Sequence, residues 1–138
     1  MHVEWSLLPR GDLAAQWSHI YVTLNRLGTI SINKVAYARM GEPAAFQIYF
    51  DKVNSRIALK PTALAMKHAY PAPSYGKRGG RRIRAYRLLT EYGIKIDETI
   101  EFKDAEIDPD GLLILDLRTA RASARARGQI NRRAKSES

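Results

Sequence analysis

Apolar and polar positions alternate through much of this chain, and the alternation predicts strands more than helices. "IYVTLN" switches between apolar and polar residues with a period of two, so residues 20–25 read as a half-buried strand. "RLG" follows as a turn, with Gly28 free to take a positive φ, and "TISIN" completes a hairpin. "KVAYARMG" changes the period. Val35, Ala36 and Met40 fall on one face of two helical turns, and Gly41 stands where a helix end favours a left-handed residue. A second hairpin is predicted from "PAAFQIYFD" and "SRIALKP" around "KVN". Phe46, Ile48 and Phe50 share one face of its first strand, and Ile57 and Leu59 share one face of its second.

"TALAMKHAYPAPSYG" breaks the pattern and predicts a short helix followed by a linker, over residues 62–75. The earlier order then begins again. "RRIRAYRLLTEYG" reads as the end of a strand and a helix closed by Gly93. Ile83, Leu88 and Leu89 are its core candidates. "IDETIEFKD" and "GLLILDL" predict another hairpin around a longer turn, "AEIDPDG". At the start, residues 1–19 form an irregular extension expected to pack on the domain through Trp5, Leu7, Leu8 and Trp17. At the end, residues 119–138 contain almost no large apolar side chains and are expected to be disordered on their own.

The renewed order amounts to an internal repeat. Placing Gly28 on Gly80 brings Gly41 onto Gly93 without a gap, Ile48 onto Ile100 and Phe50 onto Phe102. With a few extra residues in the second hairpin turn, Leu59 meets Leu115. A glycine closes a tight turn and a glycine ends a helix in both copies, and the paired Ile and Phe residues keep the same strand parity. The domain reading is a first unit over 20–61 and a second over 76–118.

The first unit, "VTLNRLGTISINKVAYARMGEPAAFQIYFDKVNSRIALKP", resembles the AbrB/MazE/SpoVT group of swapped-hairpin DNA-binding domains. The shared order is a strand, a glycine turn, an I-x-I strand, a short helix ending in Gly, and a hairpin. Two departures stand out: members usually have proline where this chain has Asn33, and "RRIRAYRLL" replaces the I-x-I strand in the second unit. The resemblance implies an α+β, β-rich fold in which tandem AbrB-like swapped-hairpin units form a pseudo-dimeric, β-barrel-like body with short helices. It also implies duplex-DNA binding by a transcriptional regulator or antitoxin-type repressor. Positions near the glycine turn and short helix would face DNA: Arg26, Lys34 and Arg39 in the first unit, and Lys77, Arg78, Arg81, Arg82, Arg84 and Arg87 in the second.

Charge points the same way. The 138 residues carry a formal net charge of +9, which favours polyanionic partners. The six cations of "GKRGGRRIRAYRLL" sit beside glycines that let backbone approach a phosphate, and arginine can take guanine bidentately. Arg121 and Arg125 extend the candidate surface into the tail, where Arg118, Arg121 and Arg125 would line one side of a helix. RNA is the competing polyanion. Tyr37, Tyr49, Tyr86 and Tyr92 serve either as packing residues or as platforms for unpaired bases. A protein-interaction module, with a homodimer or another protein as partner, is the third reading.

Other chemistry finds little footing. The chain has no cysteine, which excludes disulfides and thiolate metal sites. "EIDPDG" alternates acids before a glycine as a calcium loop does. However, Leu117 occupies the place of the closing glutamate, and Pro109 suits a turn. His2, His19 and His68 lack metal-ligand spacing, and "GKRGG" lacks the GK[ST] ending of a P-loop. No catalytic constellation emerges, so the expectation is a non-enzyme without cofactor or metal. No apolar run approaches the roughly 20 residues that span a bilayer, and the start lacks the layout of a signal peptide. The expected location is therefore cytoplasmic, with no membrane partner.

Overall fold

A computed structural model describes Trp5 and residues 19–123. It is a β-rich α+β protein with two antiparallel sheets and two short helices. The strands are β1 (Val22–Leu24), β2 (Thr29–Ile32), β3 (Ala45–Asp51), β4 (Arg56–Thr62), β5 (Tyr70–Pro71), β6 (Ser74–Tyr75), β7 (Gly80–Arg84), β8 (Ile100–Glu101), β9 (Glu106–Ile107), β10 (Leu113–Asp116) and β11 (Arg121–Ala122). The helices are α1 (Lys34–Arg39) and α2 (Tyr86–Tyr92). One sheet has the order β11-β8-β1-β2-β7-β6 and the other β5-β3-β4-β10-β9. Both sheets stay open, so the expected barrel-like closure does not occur among the described residues.

Each sheet turns one apolar face to a single core. Val22, Leu24, Ile30, Ile32 and Ile83 supply it from the six-stranded sheet, and Phe46, Ile57, Leu59, Leu113 and Leu115 from the five-stranded one. Fully burying a side chain of this size contributes about 1.5–3 kcal/mol. The predicted faces of the second hairpin hold: Ile48 pairs with Leu59 and Phe50 with Ile57 across β3 and β4. Helix α1 fills the core with Ala36, Tyr37 and Met40. Tyr37 takes the inward place expected of Val35, which is half-buried. In α2, Leu88 is buried and Leu89 packs against the cluster.

The two halves of the chain meet through their first hairpins. β2 and β7 pair antiparallel, with Ile30 opposite Ile83 and Ile32 opposite Arg81. The two hairpin turns therefore lie at opposite ends of the β1-β2-β7-β6 ribbon, and each rests on the helix start of the other half. Gly28 (φ +86°) sits so close to α2 that a Cβ would stand 2.4 Å from the Tyr86 Cα. Its carbonyl accepts from the Ala85 N–H at 2.9 Å. In return Gly79 (φ +82°) lies against the aliphatic stem of Lys34 at the start of α1.

This geometry corrects the gapless superposition of the halves. Gly79, not Gly80, adopts the left-handed conformation that matches Gly28. The inward residues are Ile30 and Ile32 in β2 but Arg81 and Ile83 in β7, a spacing of 51, whereas Gly41 and Gly93 end their helices 52 apart. One extra residue, Arg84, stands between the last inward isoleucine and the helix. Strand side chains have a period of two, so a one-residue offset exchanges the faces.

Four further expectations change. Residues 63–69 form turns rather than a helix, with backbone bonds from Met66 to Ala63 and from Ala69 to Met66. "IDETIEFKD" and "GLLILDL" do not pair with each other. β8 joins the six-stranded sheet beside β1, the Phe102 N–H bonds Val22 O at 3.0 Å, and the chain then crosses to place β9 against β10. Residues 124–138 of the tail lie outside the described residues; its first residues, 119–123, are ordered, because β11 pairs with β8 and the Ser123 N–H bonds Thr99 O at 2.9 Å. This makes Arg121 a strand residue rather than a helical one. Trp5 is 89% exposed rather than packed, and Leu7, Leu8 and Trp17, the other residues expected to pack, lie outside the described residues.

The turn between β3 and β4 is tied by Asp51. Its carboxylate accepts from the Asn54 side chain at 2.9 Å, Arg56 Nη2 at 3.1 Å and the Val53 and Asn54 N–H groups. The Asn54 side chain, followed by Arg56, holds its pKa down at about 2, below the ordinary 3.8. Its stabilising contribution is complete above the ordinary value and disappears as pH falls toward 2. Urea midpoints of the wild type should therefore exceed those of Asp51→Asn at pH 6, with the gap narrowing between pH 4 and 2. Gly28→Ala and Gly41→Ala form a second test. Both sites have positive φ, but only Gly28 faces backbone, whereas Gly41 faces open space. Gly41→Ala should cost about 1 kcal/mol and Gly28→Ala at least about 2 kcal/mol in chemical denaturation.

Candidate nucleic-acid interface

The outward face of the β1-β2-β7-β6 ribbon is polar because alternate residues there are Thr23, Thr29, Ser31, Arg82 and Arg84. Thr23, Ser31 and Arg82 stand side by side across three strands. Arg84 lies opposite Thr29 near the β1–β2 turn, which carries exposed Arg26. At the other end, Lys77 and Arg78 occupy the β6–β7 turn, and Lys34 reaches it by lying along Gly79.

A groove of about 550 Å³ opens on this face toward the β6–β7 turn. Its wall includes Tyr21, Thr23, Ser31, Lys34, Tyr75, Lys77, Arg78 and Arg82. Arg82 places its guanidinium 3.2 Å from the centre of the Tyr75 ring. Asn33 shapes the opposite side. Its Oδ1 caps α1 by accepting from the Ala36 N–H at 3.0 Å and also accepts from the Tyr21 N–H at 3.2 Å, while Nδ2 donates to His19 O at 2.7 Å. A proline here would keep none of these side-chain bonds, which gives Asn33 a local structural use.

The predicted cations separate into groups. Lys34, Lys77, Arg78 and Arg82 line the groove, whereas Arg26 and Arg84 lie outside it, toward the β1–β2 turn of the ribbon. Arg39 is exposed in the last turn of α1. Arg121 stands on the same outward face as Arg82, but beside Glu101, which is itself ion-paired with Lys103. Arg87 faces a different concavity, with Tyr49, His68, Tyr70 and Tyr92. Arg125 lies outside the described residues.

Arg81 stands apart from the other cations of β7. Its inward parity sends the guanidinium over the Tyr37 ring, 4.4 Å from the centre, where Nη1 donates to Ala72 O at 3.3 Å. Nε is buried without a hydrogen-bond partner. Arg81, half-buried, therefore ties the second hairpin to α1. The four predicted tyrosines divide between packing and exposed positions. Tyr37 is buried and donates to Pro43 O, and Tyr92 packs on Phe50. Tyr49 faces outward from the other sheet and Tyr86 is exposed at the start of α2. The groove instead holds Tyr21 and Tyr75, which sequence reasoning did not single out. Their signal was the outward parity of Tyr21 with Thr23, and the place of Tyr75 immediately before "GKRGG".

Asp108 explains the acidic turn. Its Oδ1 accepts from the N–H groups of Asp110 and Leu112, each at 2.9 Å, which closes the β9–β10 turn. No helix among the described residues is long and apolar enough to cross a membrane. No protein-family model, curated protein or solved structure matches the chain.

Two neighbouring arginines should respond unequally to truncation. Arg81→Ala removes the ring contact, a carbonyl bond and a packed aliphatic stem, and should lower stability by about 1–2 kcal/mol. Arg82→Ala removes an exposed side chain with one ring contact, on exposed Tyr75, and should cost less, at most about 0.5–1 kcal/mol. Urea titrations of the two variants measure the difference.

Proposed function

We propose that this chain is a DNA-binding protein, a transcriptional regulator or antitoxin-type repressor, in which two swapped-hairpin units are fused in one polypeptide. The likeness of residues 20–61 to the AbrB/MazE/SpoVT group supports this reading, as does the seating of each hairpin on the other half's helix. The observation that carries it is the outward face of β7. Arg82 and Arg84 project from one side of a single strand, between a basic turn at each end of the ribbon.

Docking would be mainly electrostatic. Lys34, Lys77, Arg78, Arg82, Arg84 and Arg26 neutralise phosphates and release counterions, which gives affinity before any sequence is read. Thr23, Ser31 and Arg82 then offer hydroxyl and guanidinium donors to base edges. Among the described residues no acid lines the groove; Glu101, on the same outward face one strand beyond Thr23, is ion-paired with Lys103.

Fluorescence anisotropy with duplex DNA and structured RNA, at two salt concentrations, tests the reading. Duplex preference with a steep salt dependence is expected. Arg82→Ala combined with Arg84→Ala should reduce the log–log salt slope by about 1–2 units, at roughly 0.9 per lost phosphate contact. Uniform preference for RNA would establish an RNA-binding or ribosome-associated role on the same surface. Absence of binding to either at low salt would leave a protein-interaction module.

A further inference from the structure

The groove on the ribbon contains more than phosphate-binding chemistry. Continuing the strand register by one residue aligns Tyr21, Asn33, Gly80 and Tyr75 in a single row across four strands. Three strand intervals of about 4.8 Å place the two tyrosines on the order of 14 Å apart. The floor between them is bare. Asn33 turns its side chain into the α1 cap, and Gly80 has none.

Both platforms are fixed in place. The Tyr21 backbone is pinned on both sides by Asn33, whose Oδ1 accepts its N–H and whose N–H bonds its carbonyl at 3.1 Å. Tyr75 is paired in β6 and carries the Arg82 guanidinium on its ring. Even so, Tyr21 remains 39% and Tyr75 43% exposed, and both border the groove. Lys34, Lys77 and Arg78 line the same groove as phosphate partners, and Thr23, Ser31 and Asn25 add polar donors and acceptors.

A duplex buries the faces of its bases in its own stack, so it can use the cations but not the flat faces of these rings. An unpaired base can use both. Its face stacks on the Tyr21 ring or on the Arg82 guanidinium layered over Tyr75, and its flanking phosphates meet the basic turn. A volume of about 550 Å³ lies within the range of built ligand pockets. We infer that the slot between Tyr21 and Tyr75 takes an unpaired nucleotide of the bound nucleic acid, so that the protein favours sites with a bulge, gap or single-stranded junction. This inference rests on the nucleic-acid reading above and narrows its substrate class.

The test uses the full chain and four labelled probes of equal length: a fully paired DNA duplex, the same duplex with one bulged nucleotide, single-stranded DNA and single-stranded RNA. The bulged duplex should bind roughly ten-fold more tightly than the paired one. With 2-aminopurine at the bulge, binding should quench fluorescence as the base stacks on a ring. Tyr75→Ala and Tyr21→Ala should shrink the ratio of bulged to paired affinity toward one, and Tyr→Phe at either position should retain it. A tighter single-stranded RNA than DNA complex also supports the slot and identifies ribose as part of its preference. Equal wild-type affinity for paired and bulged duplexes would overturn the inference while leaving duplex docking intact. Failure to bind any of the four would remove the nucleic-acid reading itself. The wild-type comparison is decisive even if an alanine variant does not fold.

Discussion

The contact on which the arrangement depends is the reciprocal seating of two hairpin turns on two helix starts. Gly28 meets the backbone of Tyr86 so closely that no side chain fits, and Gly79 meets the stem of Lys34. The pairing of β2 with β7 lies between these two contacts. Displacing either turn would separate Ile30 from Ile83 at the centre of the core. The same seating sets the two basic turns at opposite ends of one polar ribbon, so the packing constraint and the charge arrangement have one origin.

The two halves are alike in plan but unequal in use. Asn33 caps α1 with its side chain, while Ala85 gives α2 no side-chain cap. The first half supplies the long regular hairpin β3–β4; in the second half the corresponding segment divides between two sheets. The second half carries most of the groove's cations, whereas the first contributes hydroxyls, Lys34 and Tyr21. An internal duplication that diverges in this way would let one half specialise in phosphate contact and the other in shaping the floor.

Arg81 shows why a run of basic residues cannot be treated as one surface. It stands between residues that point the other way. Its half-buried guanidinium lies on the Tyr37 face and donates to the Ala72 carbonyl. Alternation along β7 thus converts "RRIRA" into a basic outward face and a mixed inward one. The number of cations available to a polyanion is set by strand parity as much as by composition.

The chain's own pattern of residues was enough for the first two hairpins, for both helices with their closing glycines, and for the inward faces of β3 and β4. Each of these depends on neighbours within a few positions, through side-chain period or backbone sterics. The recurrence of turn, strand and helix was also legible, as were most of the cations around the groove. Local periodicity could not reveal the crossing of β8 and β9 into different sheets, since that depends on which distant strand edge is free to pair. Nor could it place β5, β6 and β11, which are two residues long and exist only through their partners. The one-residue offset in β7, and with it the inward turn of Arg81, came from register with β2. The row from Tyr21 to Tyr75 brings together residues more than 50 positions apart, so only the assembled sheet could place both rings over one floor.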